Sequence, residues 1–213
     1  MITTVFTTLY WRNAALDAFR LIFAMVLSLG LAVPALAQHP VAEVTLLRFE
    51  RDGESILLSA VVNFDLPSAV EEALVKGVPM IFVAELELFR ERWYWTNKKV
   101  MSAQRHMRLA YQPLTRRWRL HVASGVPSAA GLGVSLNQSF ETLADAVSAM
   151  QRLSRWKIAE VTELDLEQGH QVEFRFKLDL SQLPRPFQIG SLGQSDWNVS
   201  AAKAQRFTLE PVK

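Results

Sequence analysis

Four histidines, His39, His106, His121 and His170, are the side chains best suited to proton or metal chemistry in this sequence. None of them forms a zinc motif such as H-E-x-x-H, so no metal site and no metal cofactor is expected. The chain has no cysteine, which removes thiolate nucleophiles, thiolate metal sites and disulfides together. Alternation along the chain places His106 and Arg108 on one strand face and Arg119 and His121 on the matching face of the next. With Gln104 and Glu85 nearby, these four make a candidate patch for an anion such as a carboxylate or phosphate; a solvated face of paired charges is the routine alternative. Glu85 and Glu87 share a strand face, the residue types a two-carboxylate glycosidase uses, although exposed acids on strands are more often solubilising. Serine-hydrolase and phosphate-loop patterns fail. Gly133-Val-Ser135-Leu-Asn137 lacks the last glycine of G-x-S-x-G, and Gly131-Leu-Gly133 lacks both the third glycine and the lysine. Asn137-Gln-Ser139 and Asn198-Val-Ser200 match the short glycosylation sequon, which matters only in a eukaryotic secretory pathway.

The elements that must hold these residues centre on the stretch from Gly77 to Val122. Met80–Arg90 alternates an apolar face (Met80, Phe82, Ala84, Leu86, Leu88) with a face that turns acidic. Lys99–Tyr111 and Arg117–Val122 alternate likewise, and a turn at Leu114-Thr115 sets Tyr111 against Trp118, Leu109 against Leu120 and Arg108 against His121. A three-stranded antiparallel meander follows. Arg105 interrupts its apolar face, and nothing in the pattern accounts for it.

Before the meander, Val41–Glu50 and Ile56–Phe64 read as a hairpin around Asp52-Gly53. Pro67–Gly77 reads as a short helix, with Ser68 and Glu71 as a capping box and Gly77 as its stop. After the meander, Ala123–Val134 reads as a loop and Ser139–Arg152 as a second helix with Phe140, Leu143, Val147 and Met150 at helical spacing. Trp156–Leu166 and His170–Leu180 read as a hairpin around Gln168-Gly169, and a last strand lies near Arg206–Glu210. Hairpins dominate and no βαβ alternation appears. The expected class is α+β, a mostly antiparallel sheet with two packed helices.

Between them lies Ser181–Ser200, long for a loop and too apolar for disorder, with Phe187, Ile189, Leu192 and Trp197. Packing over the sheet is the first expectation for it. As a recognition surface it would present Arg185, Phe187, Asp196 and Trp197 to a partner.

The N-terminal segment carries an address. Arg12 and Arg20 precede an apolar run from Leu21 to Val33, and Pro34-Ala35-Leu36-Ala37 ends it. This is the build of a secretory signal peptide with cleavage expected after Ala37, leaving one domain over residues 38–213. The apolar run is shorter than the ~20 residues a spanning helix needs, so no integral span is expected after processing. Formal net charge is +2, and the signal segment supplies part of it. The exported domain is near neutral, and no nucleic-acid partner is expected.

Leu183-Pro-Arg-Pro-Phe-Gln-Ile-Gly-Ser-Leu-Gly-Gln-Ser-Asp-Trp-Asn-Val-Ser200 resembles the C-terminal signature of an exported proteobacterial family, domain of unknown function 4390. Ala73-Leu-Val-Lys-Gly-Val-Pro79 and Glu87-Leu-Phe-Arg-Glu-Arg-Trp93 are similar to the same family. The resemblance spans nearly all of the exported chain. It implies a Gram-negative, periplasmic, envelope-facing protein and, through genes lying beside a sensor histidine kinase, an accessory role in signalling. It brings no catalytic or ligand residues.

The reading of the whole is a non-catalytic periplasmic domain that binds an envelope protein or a small ligand, as an accessory to a membrane sensor kinase. An envelope hydrolase using the carboxylates or the His106/His121 face is the second class, and a structural scaffold the third.

Overall fold

The computed structural model describes residues 42–90, 97–125, 135–164, 169–185, 187 and 197–210. All of them belong to one compact unit, Pro40–Lys213. The signal segment and its cleavage point, Trp93, Gly131-Leu-Gly133, Ile189, Leu192 and Asp196 lie outside the described residues.

In chain order the elements are β1 (Ala42–Asp52), β2 (Ser55–Phe64), α1 (Ser68–Val75), β3 (Met80–Arg90), β4 (Lys98–Gln112), β5 (Arg117–Ser124) and β6 (Ser135–Phe140). Then follow α2 (Leu143–Gln151), β7 (Arg152–Glu160), β8 (His170–Leu178), β9 (Ser200–Arg206) and β10 (Leu209–Glu210). The fold is α+β, and its strands form two sheets. One has four strands in the order β10-β1-β2-β7; the other has six in the order β6-β5-β4-β3-β8-β9. Every pairing is antiparallel except the short β1–β10 contact.

The inward faces meet in one core. Met80, Phe82, Ala84, Leu86 and Leu88 of β3 are fully buried, as alternation requires of a central strand with one face dry. Phe64 of β2 lies 5.7 Å from Phe82 and 5.0 Å from Phe176 of β8, ring centre to ring centre, so this aromatic cluster joins the two sheets. At one side of the sandwich β9 fastens to β1. Lys203 Nζ donates to the Val44 carbonyl at 3.3 Å, and Gln205 Nε2 to the Leu47 carbonyl at 3.1 Å. At the other side β7 and β4 diverge.

The meander keeps the register its alternation implies: Tyr111 pairs Trp118, Leu109 pairs Leu120 and Arg108 pairs His121. The β1–β2 hairpin turns on Gly53, whose φ of +59° a side chain would resist.

Three expectations are corrected. Ser68 and Glu71 form no capping box: the N-cap is Pro67, with no side-chain cap, because Ser68 already lies inside the helix. The helix does stop at Gly77 (φ +85°), where Val78 N–H reaches the Ala73 carbonyl and Gly77 N–H the Leu74 carbonyl, a Schellman closure. Ser139 and Phe140 belong to the edge strand β6 rather than to the second helix, which Thr142 caps by accepting from Asp145 N–H at 3.1 Å. The hairpin expected from Trp156–Leu166 and His170–Leu180 does not form, since β7 pairs with β2 while β8 lies between β3 and β9 in the other sheet. The last strand lies where expected, as β10, and β9 from Ser200 precedes it.

Candidate functional site

The charged outer face of the six-stranded sheet holds the residues the sequence singles out. Arg108 and His121 are directly opposed across β4 and β5, with His106 and Arg119 each two positions further along its own strand. Arg108 and Arg119 are exposed, and the two histidines are half-buried. Both imidazoles are engaged. His106 Nδ1 lies 3.1 Å from the Gly125 carbonyl, to which it donates, and His121 Nδ1 lies 2.7 Å from Asn137 Oδ1. The patch is brought together on a strand face, where solvent screens it.

Further along the same face the carboxylates are consumed by neighbours. Glu85 pairs with Lys177 at 3.0 Å, and Glu87 with Lys99 at 3.0 Å and Arg175 at 3.8 Å. Glu173 pairs with Arg175 at 2.6 Å. Glu85 and Glu87 are therefore members of an ion-pair ladder across three strands. Among the described residues no group of three or more His, Cys, Asp or Glu is placed to hold a metal ion.

The C-terminal segment divides. Arg185 is exposed and Phe187 half-buried, while Trp197 is buried, 8% exposed, with its ring 6.3 Å from that of Phe187. Trp197 and the neighbouring Val199 belong to the core. The tryptophan is thus no part of a displayed surface, and replacing it tests folding rather than recognition.

A different site stands where the sheets separate. The inner face of β4 carries Met107 and Leu109 into the core and then, at the next inward position, Arg105. Its guanidinium carbon lies 5.0 Å from the ring centre of Trp156, which β7 contributes from the opposite sheet. Trp156 is itself 2% exposed, so the cation caps a buried ring. Beside this pair opens a cleft of about 540 Å³, with Arg105 and Ser124 on one wall, β7 on the other, and Glu160 and Glu163 at its end. A second hollow of about 440 Å³ adjoins it past Ser124 and Trp156, reaching Ala103, Gly125 and Ile158.

Two bulges in β7 shape this wall. The pairing with β2 skips one residue of β7 at Ile158 and another between Leu153 and Trp156, where Arg155 adopts a φ of +45°. The inward residues therefore recur as Leu153, Trp156 and Ala159, every third position rather than every second. Each bulge turns side chains that a flat strand would send elsewhere. The two cations of β7 that line the cleft are spoken for: Arg155 pairs with Asp52 and Glu50, and Lys157 with Glu160 at 3.0 Å. The far end is fixed by the reciprocal cap of a 3-10 turn, Val161–Glu163, in which Glu163 Oε2 accepts from Glu160 N–H at 3.2 Å.

Arg105 is the exception. Its Nε is buried and has no hydrogen-bond partner, and among the described residues no carboxylate pairs with it. Burial strips water from the guanidinium and pushes its pKa down to about 10. It remains a cation at neutral pH, and the cost of keeping it so falls on the fold. Sequence alone flagged this residue only as a break in an apolar face. Its partner Trp156 is remote in the chain, and the bulges hide the inward spacing of β7.

A second inward polar pair closes the other end of the sheet. Arg90 lies opposite His170, which is 3% exposed against the ring of Phe207, and neither Arg90 Nε nor His170 Nε2 has a partner.

Fold and site together define an α+β domain, two antiparallel sheets about one core, with a cleft at the side where the sheets part. The chain belongs to the family described as Domain of unknown function (DUF4390), whose model matches residues 40–208. The match takes in both helices, both sheets up to β10, and every residue of the cleft. No curated protein and no solved structure matches the chain. Among the described residues no helix is long and apolar enough to cross a membrane.

Proposed function

We propose that this chain is an exported, non-catalytic binding domain of the cell envelope, an accessory that takes a partner or a small ligand in the cleft between its sheets. One observation carries the reading: an inward arginine, uncompensated among the described residues, at the mouth of an open cleft. A half-buried cation without a counter-charge is costly, and sites of recognition are where such costs recur. Export rests on the N-terminal sequence, with cleavage after Ala37 and a periplasmic destination. The accessory role beside a membrane sensor kinase rests on the family resemblance. The outer face, with its carboxylates paired and its histidines hydrogen-bonded, offers a poorer surface for turnover or for capture.

The test is site-specific photo-crosslinking in cells that express the protein. A benzoylphenylalanine at Ile158 samples the cleft, at Arg119 the outer sheet face, and at Arg185 the C-terminal segment. Adducts from position 158 alone support the cleft as the surface used. Adducts from 119 or 185 with none from 158 overturn it.

A further inference from the structure

The chemistry of the cleft narrows what it takes. Among the described residues of its lining, Arg105 is the one cation without a carboxylate partner, and a single guanidinium matches a monoanion. The planar fork of arginine pairs a carboxylate through two parallel hydrogen bonds. The Ser124 hydroxyl stands on the same wall as a further donor. Glu160 and Glu163 at the far end disfavour ligands of higher negative charge. The adjoining hollow has no carboxylate in its lining; Ala103 and the half-exposed Ile158 give it an apolar side, and Ser102, Gln104, Ser124 and Lys157 a polar one. The two bulges weigh against an added strand, because they break the regular backbone spacing that strand pairing needs along β7.

We propose that Arg105 and the cleft beside it form a carboxylate-binding site for an acid whose short apolar body lies in the adjoining hollow against Ala103 and Ile158. This rests on the cleft being the binding surface. The carboxylate has two sources, a free organic acid or the C-terminus of a polypeptide, and both present the same group.

The experiment follows the nitrogen–proton resonance of Arg105 Nε, identified by its loss in Arg105→Lys, in the full chain purified from expressing cells. Acetate, butyrate and inorganic phosphate are titrated at constant ionic strength, alongside Ala-Ala-Val with a free and an amidated C-terminus. Butyrate is expected to saturate the shift about tenfold more tightly than acetate, from its two extra buried methylenes. Phosphate is expected to bind more weakly than butyrate. By the indole resonance of Trp156, Arg105→Met weakens butyrate about 10- to 100-fold, Arg105→Lys weakens it less, and Arg108→Gln leaves it unchanged. Binding of the free-acid peptide alone, with the amide inert, supports the same site with a polypeptide end as its source.

Three results overturn the proposal: no carboxylate moves the Arg105 resonance, phosphate binds more tightly than butyrate, or Arg105→Met binds as the wild type does. The first reading is independent of any variant's folding. If crosslinking from position 158 persists when carboxylates fail, the cleft still binds and only its chemistry is wrong. If both fail, the binding surface lies elsewhere.

Discussion

Arg105 and Arg108 stand a few positions apart on one strand and face opposite ways. Arg108 joins His106, Arg119 and His121 on a wet sheet face, where a charge keeps its water and costs the fold little. Arg105 points inward, caps Trp156, and has lost part of its hydration with no carboxylate partner among the described residues. The outer group has more charges and looked the better anion site in the sequence. The inner one has a single charge in a place where a charge is expensive. Density of charge on a strand face is weak evidence of recognition; a desolvated charge beside a cleft is stronger.

The largest effect should come from the floor of the cleft. Trp156→Ala removes a buried indole and the surface Arg105 rests on, costing about 3–5 kcal/mol. Thermal unfolding should fall by about 10 °C or more, since each kcal/mol is worth ~2–4 °C in a domain of this size. A loss no larger than that of an outer-face variant would mean that the ring is not the keystone of this edge. Arg105→Met should separate stability from binding. Losing the cation–ring contact costs about 0.5–2 kcal/mol, and relief from desolvation offsets it, so melting should stay within ~3 °C of the wild type. Capture at the cleft should fall sharply. A large drop in melting temperature would make Arg105 a structural brace.

pH sharpens the same contrast. The folded-state pKa of Arg105 is depressed from the ordinary arginine value to about 10. Below 10 the group is charged in both folded and unfolded chains, so its penalty is constant there. As pH rises above 10 the unfolded chain holds the proton more tightly, and stability gains from this group. Between pH 5 and 9 Arg105 therefore adds no slope to stability, and Arg105→Met should leave the shape of the stability curve in that range unchanged.

Much of the fold was legible because its central strands alternate cleanly. The meander register and the buried face of β3 follow from period two and a short turn. β7 was misplaced because its bulges stretch the inward spacing to Leu153, Trp156, Ala159, and because a turn signal at Gln168-Gly169 says nothing about which sheet a strand enters. β6 carries no apolar alternation at all: Ser135-Leu-Asn-Gln-Ser is exposed throughout, and the strand exists by pairing with β5. The outer patch was legible as a pattern. The cleft was not, because it is a contact between two strands of different sheets. Arg105 alone left a trace, as an inward cation with no local reason.

The outer face itself supplies the next smaller effect. Arg108→Gln and Arg119→Gln should each change stability by less than ~0.5 kcal/mol. Lys177→Gln, which breaks a pair with Glu85, should cost about 0–1 kcal/mol, and less in high salt. Crosslinking from position 158 should be untouched by all three. If any of them removes it, the two faces are coupled and the contrast drawn from burial fails.

The smallest predicted difference lies in the helix caps. Ser68 has the sequence of a cap and Thr142 has the geometry of one. Thr142 accepts from Asp145 N–H at the start of α2, the helix that runs directly into β7 and so anchors the wall of the cleft. Thr142→Ala should cost ~1 kcal/mol. Ser68 sits inside α1 with no cap bond, and alanine is the better helix former, so Ser68→Ala should be neutral or stabilise by a few tenths of a kcal/mol. Denaturant midpoints with unchanged slopes separate the two. Equal losses would restore the capping box read from the sequence; a loss at Thr142 alone would place the local constraint at the entry to β7, where the cleft needs it.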